Sequence, residues 1–371
     1  MAAGEGLGDE AEVDPRAPRR NPDLFGHAVA EAGLLQAVAS GRLPHAIILG
    51  GPRGIGKATL AFRFARWLLT GGGEDPGPSL FGDVVAPTDL KTDPHHPVAR
   101  RISAGGHADL LTVERGYDPK RKKMRGEIVV DDVREVSNFL RLTSAEGGWR
   151  VVIIDSADEM NRNAANALLK VLEEPPKGAL LLLVCHAPGR LLPTIRSRCR
   201  KVFLLPLAAD EVVRLLLEHR PDLSGEDASI LARMADGSIG RALELADAEG
   251  LVLYREMVGL LDTLPRLDGV RLHRLADAVA RGEADALYRT LTDLLVDFLA
   301  RMVAGAAEGG IREVMPGEGA LMRRMAGFGR LDQWVEVWEN LRALFGRADA
   351  VNLDRKQVVL DAFFTLGAAA R

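Results

Sequence analysis

Between Gly147 and Leu205 the chain sets down three short apolar runs, each closed by Gly, Pro or polar residues. They are Val151–Ile154, Ala179–Val184 and Val202–Leu205. Unbroken apolar strings of this length are what strands buried on both faces of a parallel sheet require. Between the first two, Ala164, Ala167, Leu168, Val171 and Leu172 recur at three- and four-residue steps. That spacing predicts a helix with one apolar face, and Pro175 and Pro176 end it. Asp155 follows the first run, at the carboxyl edge of the predicted sheet, where open α/β proteins gather ligands. Arg198 stands just before the third run.

A fourth run, His45–Leu49, opens the sheet and leads into GGPRGIGKATLAFRFARWLL. Strand, glycine-rich turn and helix in that order form the setting of a P-loop. Gly51, Gly54 and Gly56 let the backbone curl until its N–H groups converge on a phosphate. The helix that follows points its positive end at the same place, and Lys57 reaches the outer phosphates. The last motif position breaks the pattern: Ala58 stands where a Mg²⁺-binding hydroxyl belongs. Thr59 is a poor substitute, because it lies about 100° further round the helix.

Length and composition narrow the rest. A chain of 371 residues predicts two or three domains. A hydrophobic fraction of 47%, a charged fraction of 27% and a net charge of −4 fit a soluble globular protein without a general field for nucleic acid. Cys185 and Cys199 fit a reduced, cytosolic protein without a disulfide framework. No apolar run is long enough to span a membrane. Residues 1–20 have no apolar centre, so no secretory signal is expected; they read as disordered.

The segment Gly71–Asp109 reads as loop, with His95, His96 and His107 as solvated loop histidines rather than metal ligands. Leu110–Val113 reads as another strand. The run Lys120, Arg121, Lys122, Lys123 and Arg125 reads as a solvated hairpin tip, with contact to DNA phosphates as the alternative. Asp131–Leu140 reads as a helix that Asp131 or Asp132 caps. After Pro206 the texture changes to short amphipathic helices at 209–217, 227–235 and 239–246, with Arg241 near the start of the third. From about Leu251 everything is helical. Leu287, Leu291, Leu294, Phe298 and Met302 make one apolar face; Trp334, Trp338, Leu341 and Phe345 make another.

A P-loop ATPase needs a Mg²⁺-ordering acid, a group that orients water, and positive charge on the γ-phosphate in the transition state. Asp155 answers the first need. Ser156 stands where a water-orienting glutamate normally follows that acid, and Asp158 and Glu159 read as surface residues beyond the strand. Arg198, among Arg190, Arg196, Arg200 and Lys201, has two readings. One is a surface arginine paired with a local acid. The other is a guanidinium supplied in trans to a neighbour's nucleotide.

GPRGIGKATL, VVIIDSADEMNRNAANALLKVLEEPP, LLPTIRSRC and GSIGRAL together resemble the bacterial clamp-loader subunits of the AAA+ class. The likeness is strongest over residues 20–250, and NLDRKQVVL (Asn352–Leu360) is similar too. The resemblance implies an α/β P-loop (AAA+) domain with a parallel sheet over 21–207. A small helical lid over 208–250 and an all-α collar over 251–371 would follow. It implies Arg198 as the trans arginine finger. Gly51, Gly54, Ile55, Gly56, Lys57, Ala58 and Thr59, with Asp155 and Arg241, would be the nucleotide positions, Arg241 as the second sensor arginine. His186 falls at the first sensor position, where Thr or Asn is usual. ATP or ADP would be the nucleotide, its occupancy left open, with Mg²⁺ only alongside it. Many relatives carry a four-cysteine zinc module after the P-loop helix; this chain has no cysteine there, so no zinc is expected. Partners would be tau/gamma and delta subunits, and indirectly the sliding clamp and primed DNA, in the cytoplasm with no membrane. The rival readings are an active tau/gamma-like ATPase, a DNA-binding adaptor and a small-molecule P-loop kinase.

Losing both the hydroxyl at position 58 and the carboxylate at 156 costs a P-loop ATPase several orders of magnitude in rate. A steady-state assay of the isolated chain is expected to show negligible ATP turnover; brisk hydrolysis would reject this reading.

Overall fold

A computed structural model describes residues 16–72, 87–118, 123–280, 285–351 and 353–371. Most of the expected disordered N-terminus, the tip of the basic run and Asn352 lie outside the described residues. The chain divides between Leu207 and Ala208 into two compact units.

The first unit carries the strands β1 (Ala46–Gly50), β2 (Leu110–Val113), β3 (Tyr117–Asp118), β4 (Lys123–Met124), β5 (Arg150–Ile154), β6 (Ala179–Cys185) and β7 (Arg200–Phe203). Five of them form one sheet in the order β2-β5-β6-β1-β7, and every neighbouring pair is parallel. Its helices are α1 (Ala28–Ala39), α2 (Lys57–Trp67), α3 (Pro97–Ser103), α4 (Val130–Arg141), α5 (Arg162–Glu173) and α6 (Pro193–Arg196). Successive strand residues point to opposite faces, and each face has its own core. Ile47, Leu49, Val151, Ile153, Leu180 and Leu182 pack with α1, α2 and α3. Ile48, Val152, Ile154, Leu181 and Leu183 pack with α4 and α5. All residues of β1, β5 and β6 are buried, which is why these strands read as unbroken apolar runs.

β7 departs from expectation. The run Val202–Leu205 was expected as a buried strand, but the strand lies two residues earlier, at the sheet edge. Phe203 is 57% and Leu205 75% exposed there. Val202 and Leu204 pack into the core on the α1–α2 face, while the alternate residues Phe203 and Leu205 point to the face that is left uncovered. Three other expectations change. α3 forms inside the segment read as loop, and His96 caps it by accepting the Val98 N–H at Nδ1 (3.3 Å). His107 is buried rather than solvated, its Nδ1 accepting the Asp109 N–H at 3.1 Å. α4 starts at Val130, and Asp132 does not cap it from outside; from the third helical position its carboxylate accepts the Val129 N–H at 2.9 Å.

The second unit consists of α7 (Ala209–His219), α8 (Gly225–Ala235), α9 (Ile239–Asp247), α10 (Gly250–Leu261), α11 (Gly269–Ala280), α12 (Asp285–Glu308), α13 (Glu318–Ala326), α14 (Leu331–Val351) and α15 (Arg355–Ala369). Ser224, Ser238 and Asp354 cap α8, α9 and α15 by accepting the N–H three residues on. The expected apolar faces of α12 and α14 are largely inside, with Phe298, Met302 and Trp334 fully buried and Leu287 and Trp338 partly so. Glu318 is buried at the start of α13, where its carboxylate accepts from the Tyr254 hydroxyl, Arg301 (2.7 Å) and the Val314 N–H (2.7 Å).

Entry into β5 depends on Asp109, which is 3% exposed. Its carboxylate accepts from Ser144 Oγ (3.0 Å) and from the N–H groups of Ala145 (2.9 Å) and Glu146 (3.1 Å). Asp109→Ala removes the charged acceptor shared by these three bonds and is expected to cost about 2–3 kcal/mol. Urea denaturation followed by a probe in the first unit measures it; a change below ~0.5 kcal/mol contradicts the assignment.

Candidate functional site

The sheet's carboxyl edge gathers the predicted residues. β1 ends at Gly50 and passes into the glycine turn. Gly51 (φ 145°), Gly54 (φ 74°) and Gly56 (φ 103°) hold backbone that other residues rarely adopt. A Cβ at Gly51 would sit 2.5 Å from the Leu204 carbonyl oxygen, so the close approach excludes any side chain. Gly56 is the N-cap of α2, and the helix starts with its unpaired N–H groups beside the turn.

His27, which the sequence reading passed over, secures this turn. Its ring is buried and Nε2 lies 2.6 Å from the Ile55 carbonyl oxygen. A carbonyl only accepts, so Nε2 carries the proton. Ile55 itself is 1% exposed and anchors the turn in the core. Lys57 is 3% exposed and its ammonium donates to the Pro52 carbonyl across the loop. Burial pulls its pKa to about 8, against the opposing pull of Asp155 and Asp158.

Ala58 is partly buried against the core on the α1–α2 side of the sheet, and Thr59 is buried in α2. No hydroxyl follows Lys57. Asp155 leaves the end of β5, its N–H donating to the Val113 carbonyl at 2.8 Å. Burial raises the pKa of its carboxyl, and Glu114 adds to the effect, against Ser156 N–H and Lys57. The glycine cradle therefore fits a phosphate. The metal side does not fit equally: one carboxylate with a raised pKa and no neighbouring hydroxyl is a thin Mg²⁺ ligand set.

Ser156 holds a left-handed conformation (φ 61°), and its Oγ lies 3.1 Å from His186 Nε2. Burial lowers the His186 pKa to about 4, and the Lys57 charge pushes the same way. The position that would orient water is thus a hydroxyl bonded to a neutral imidazole. Asp158 corrects the sequence reading: it is buried, not a surface acid. Its carboxylate accepts the N–H of His186 (2.8 Å) and of Ala187 (3.0 Å), joining the segment after β5 to the end of β6. Burial alone would raise its pKa, but these N–H groups and the nearby His186 ring outweigh it, and the pKa is lowered. Glu159, largely covered, pairs with Arg115 at 3.0 Å.

Arg198 lies on the same unit, after α6. Cys199 and Ile195 are buried in the core beside Val171 and Leu172 of α5, which fixes the backbone between them. Ser197 and Arg198 are left outside. The Arg198 guanidinium donates to the Thr194 carbonyl (3.0 Å) and pairs with Glu173 at 2.9 Å. Glu173 is the last residue of α5, where Pro175 and Pro176 force the chain out of the helix. Arg241 belongs to the second unit. Its N–H is capped by Ser238 Oγ (3.1 Å) and its guanidinium pairs with Asp297 of α12. Among the described residues no group of three or more His, Cys, Asp or Glu is placed to hold a metal ion.

Residues 26–208 match the family described as DNA polymerase III, delta subunit. The chain is 38% identical over 195 residues to DNA polymerase III subunit delta' of Pseudomonas aeruginosa, covering 52% of this chain and 53% of that one. It is 31% identical over 270 residues to subunit delta' of Escherichia coli, covering 72% and 73%. It is 30% identical over 257 residues to subunit tau of Escherichia coli, covering 66% of this chain and 36% of that one. The match thus spans about half the length of the Pseudomonas relative and about a third of tau.

A pH titration of the His186 ring by NMR tests the site's electrostatics. The ring is expected to stay neutral down to about pH 4. Between the ordinary histidine value of 6.5 and about 4, the unfolded chain takes up a proton that the folded one refuses. Stability should therefore fall as pH drops through that window, and His186→Gln should remove this part of the slope. A ring that titrates near 6.5 would contradict the burial argument.

Proposed function

This chain belongs to the family of DNA polymerase III delta' subunits, and from that premise we propose that it serves in a clamp loader without hydrolysing nucleotide itself. It would close one side of the loader ring, lend Arg198 to the nucleotide site of an adjacent tau/gamma subunit, and help open the sliding clamp on primed DNA. In this reading 208–250 acts as the lid and 251–371 as the collar that assembles with tau/gamma and delta subunits. The site of work would be the cytoplasm. No helix among the described residues is long and apolar enough to cross a membrane.

The observation that carries the reading is a division of labour within the first unit. The P-loop side keeps a phosphate cradle, but Ala58 and Ser156 remove the metal hydroxyl and the water-orienting carboxylate. Lys57, Asp155 and the glycine turn would hold ATP or ADP in place; the bound nucleotide would supply phosphate charge that orders loop and lysine. Arg198, by contrast, is exposed and held by weak partners. Its pair with Glu173 is 36% and 50% exposed, and such pairs contribute about 0–1 kcal/mol. A γ-phosphate in a water-poor interface offers the same guanidinium a stronger, bidentate partner. Exchange of Glu173 for that phosphate is therefore downhill, and the fork can follow charge as it builds on the transferring group.

The test is reconstitution with tau/gamma and delta subunits. Arg198→Ala should leave assembly intact and slow hydrolysis at the site it serves by about 10³-fold or more. Arg198→Lys should recover little, since a point charge lacks the fork. Lys57→Ala should change turnover far less. Full clamp-loading ATPase in the Arg198→Ala complex would end the trans reading.

A further inference from the structure

We propose that the second unit contains a binding site for a single phosphate group, built from residues of that unit alone. The site is a cavity of about 200 Å³ lined by four arginines, Arg233, Arg241, Arg301 and Arg312. Asp236 and Asp297 share the lining with apolar walls from Met234, Leu294 and Val314. The volume is below the roughly 300–1,000 Å³ of sites for drug-sized molecules, which suits an oxyanion better than a nucleotide.

Three of the four guanidiniums have a carboxylate partner. Arg301 pairs with the buried Glu318 at 2.7 Å and also donates to the Tyr254 hydroxyl (2.5 Å) and the Arg312 carbonyl (3.1 Å). Arg241 pairs with Asp297. Arg312 pairs with Asp236 at 2.8 Å, with side chains 65% and 70% exposed. Arg233 differs. Its Nε donates to the Val314 carbonyl at 2.7 Å, and among the described residues it has no carboxylate partner. That bond fixes the plane of the guanidinium and leaves both terminal amino groups as donors. The cavity therefore holds one more positive charge than its acids neutralise, on a side chain already oriented.

The arrangement selects an oxyanion for two reasons. Guanidinium forks match the oxygens of phosphate, each contact being a charge-assisted hydrogen bond. Three of the four arginines are tied to neighbouring elements: the Tyr254–Glu318–Arg301 network joins α10, α12 and α13, Arg241 joins α9 to α12, and Arg233 joins α8 to the Val314 carbonyl. A group bound there gains from donors that need little reordering. The exposed Arg312–Asp236 pair is weak and can open to add a second fork.

The test uses the full chain carrying Lys57→Ala, so that the glycine cradle does not mask the result. Inorganic phosphate is titrated calorimetrically in a chloride-matched buffer. The expected result is one saturable site that Arg233→Gln weakens at least about tenfold, the worth of hydrogen bonds to a charged group. Arg312→Gln should weaken it less, and it decides the matter if the Arg233 variant does not fold. Absence of saturable binding, or an affinity that neither substitution changes, overturns the proposal. Because the test is made on the isolated chain, it stands apart from the role of Arg198.

Discussion

The carboxylate of Asp158 is the interaction on which the site depends. It sits just beyond β5 and accepts two N–H groups from the first residues after β6. Those residues would otherwise be unpaired donors at a sheet edge, a loss of about 1–3 kcal/mol for each donor left buried. The bond also sets what lies around it. It places His186 beside Ser156, and it keeps negative charge near Lys57, which partly offsets the desolvation of that ammonium. The result is an edge built from an imidazole whose pKa burial lowers, a hydroxyl, and a buried lysine whose pKa is drawn down to about 8. The residue after Asp155 on this edge is a serine, not the glutamate that would orient a water in an active P-loop ATPase.

Arg198 sits in the opposite situation. Cys199 and Ile195 pin the backbone on either side into the core, while the side chain lies outside against Glu173. A well-fixed Cα with a loosely held guanidinium is the combination a donated group needs. Its position is precise to the scale of the fold, while its partner can be exchanged at little cost. Both pieces come from the same short stretch, in which α5 ends at the double proline and α6 returns the chain to β7.

What could be read from the sequence follows the range of the interactions involved. β1, β5 and β6 were legible because both of their faces are buried, which leaves an unbroken apolar signature. The glycine turn was legible because its constraint is local: left-handed backbone at Gly54 and Gly56 demands glycine wherever it occurs. β7 is hard to place from sequence because it opens on the exposed Arg200 and Lys201, while the apolar run continues past its end into Leu204, which packs into the core, and Leu205, which does not. Asp158 reads as a surface acid in the sequence because its partners are 28 and 29 residues away, on another strand end. His27 was missed for the same reason, being 28 residues from Ile55. A local acid beside Arg198 is legible from the sequence, but its identity as Glu173 depends on how the end of α5 meets α6.

The central claim is that Arg198 acts on a transition state that forms in a neighbouring subunit. The most direct measurement compares how the assembled loader binds ATP and how it binds ADP with a metal fluoride that mimics the transferring phosphoryl group. If the account is right, Arg198→Ala leaves ATP affinity nearly unchanged and weakens the mimic by about a hundredfold or more. Equal effects on both ligands, or no effect on the mimic, would contradict it.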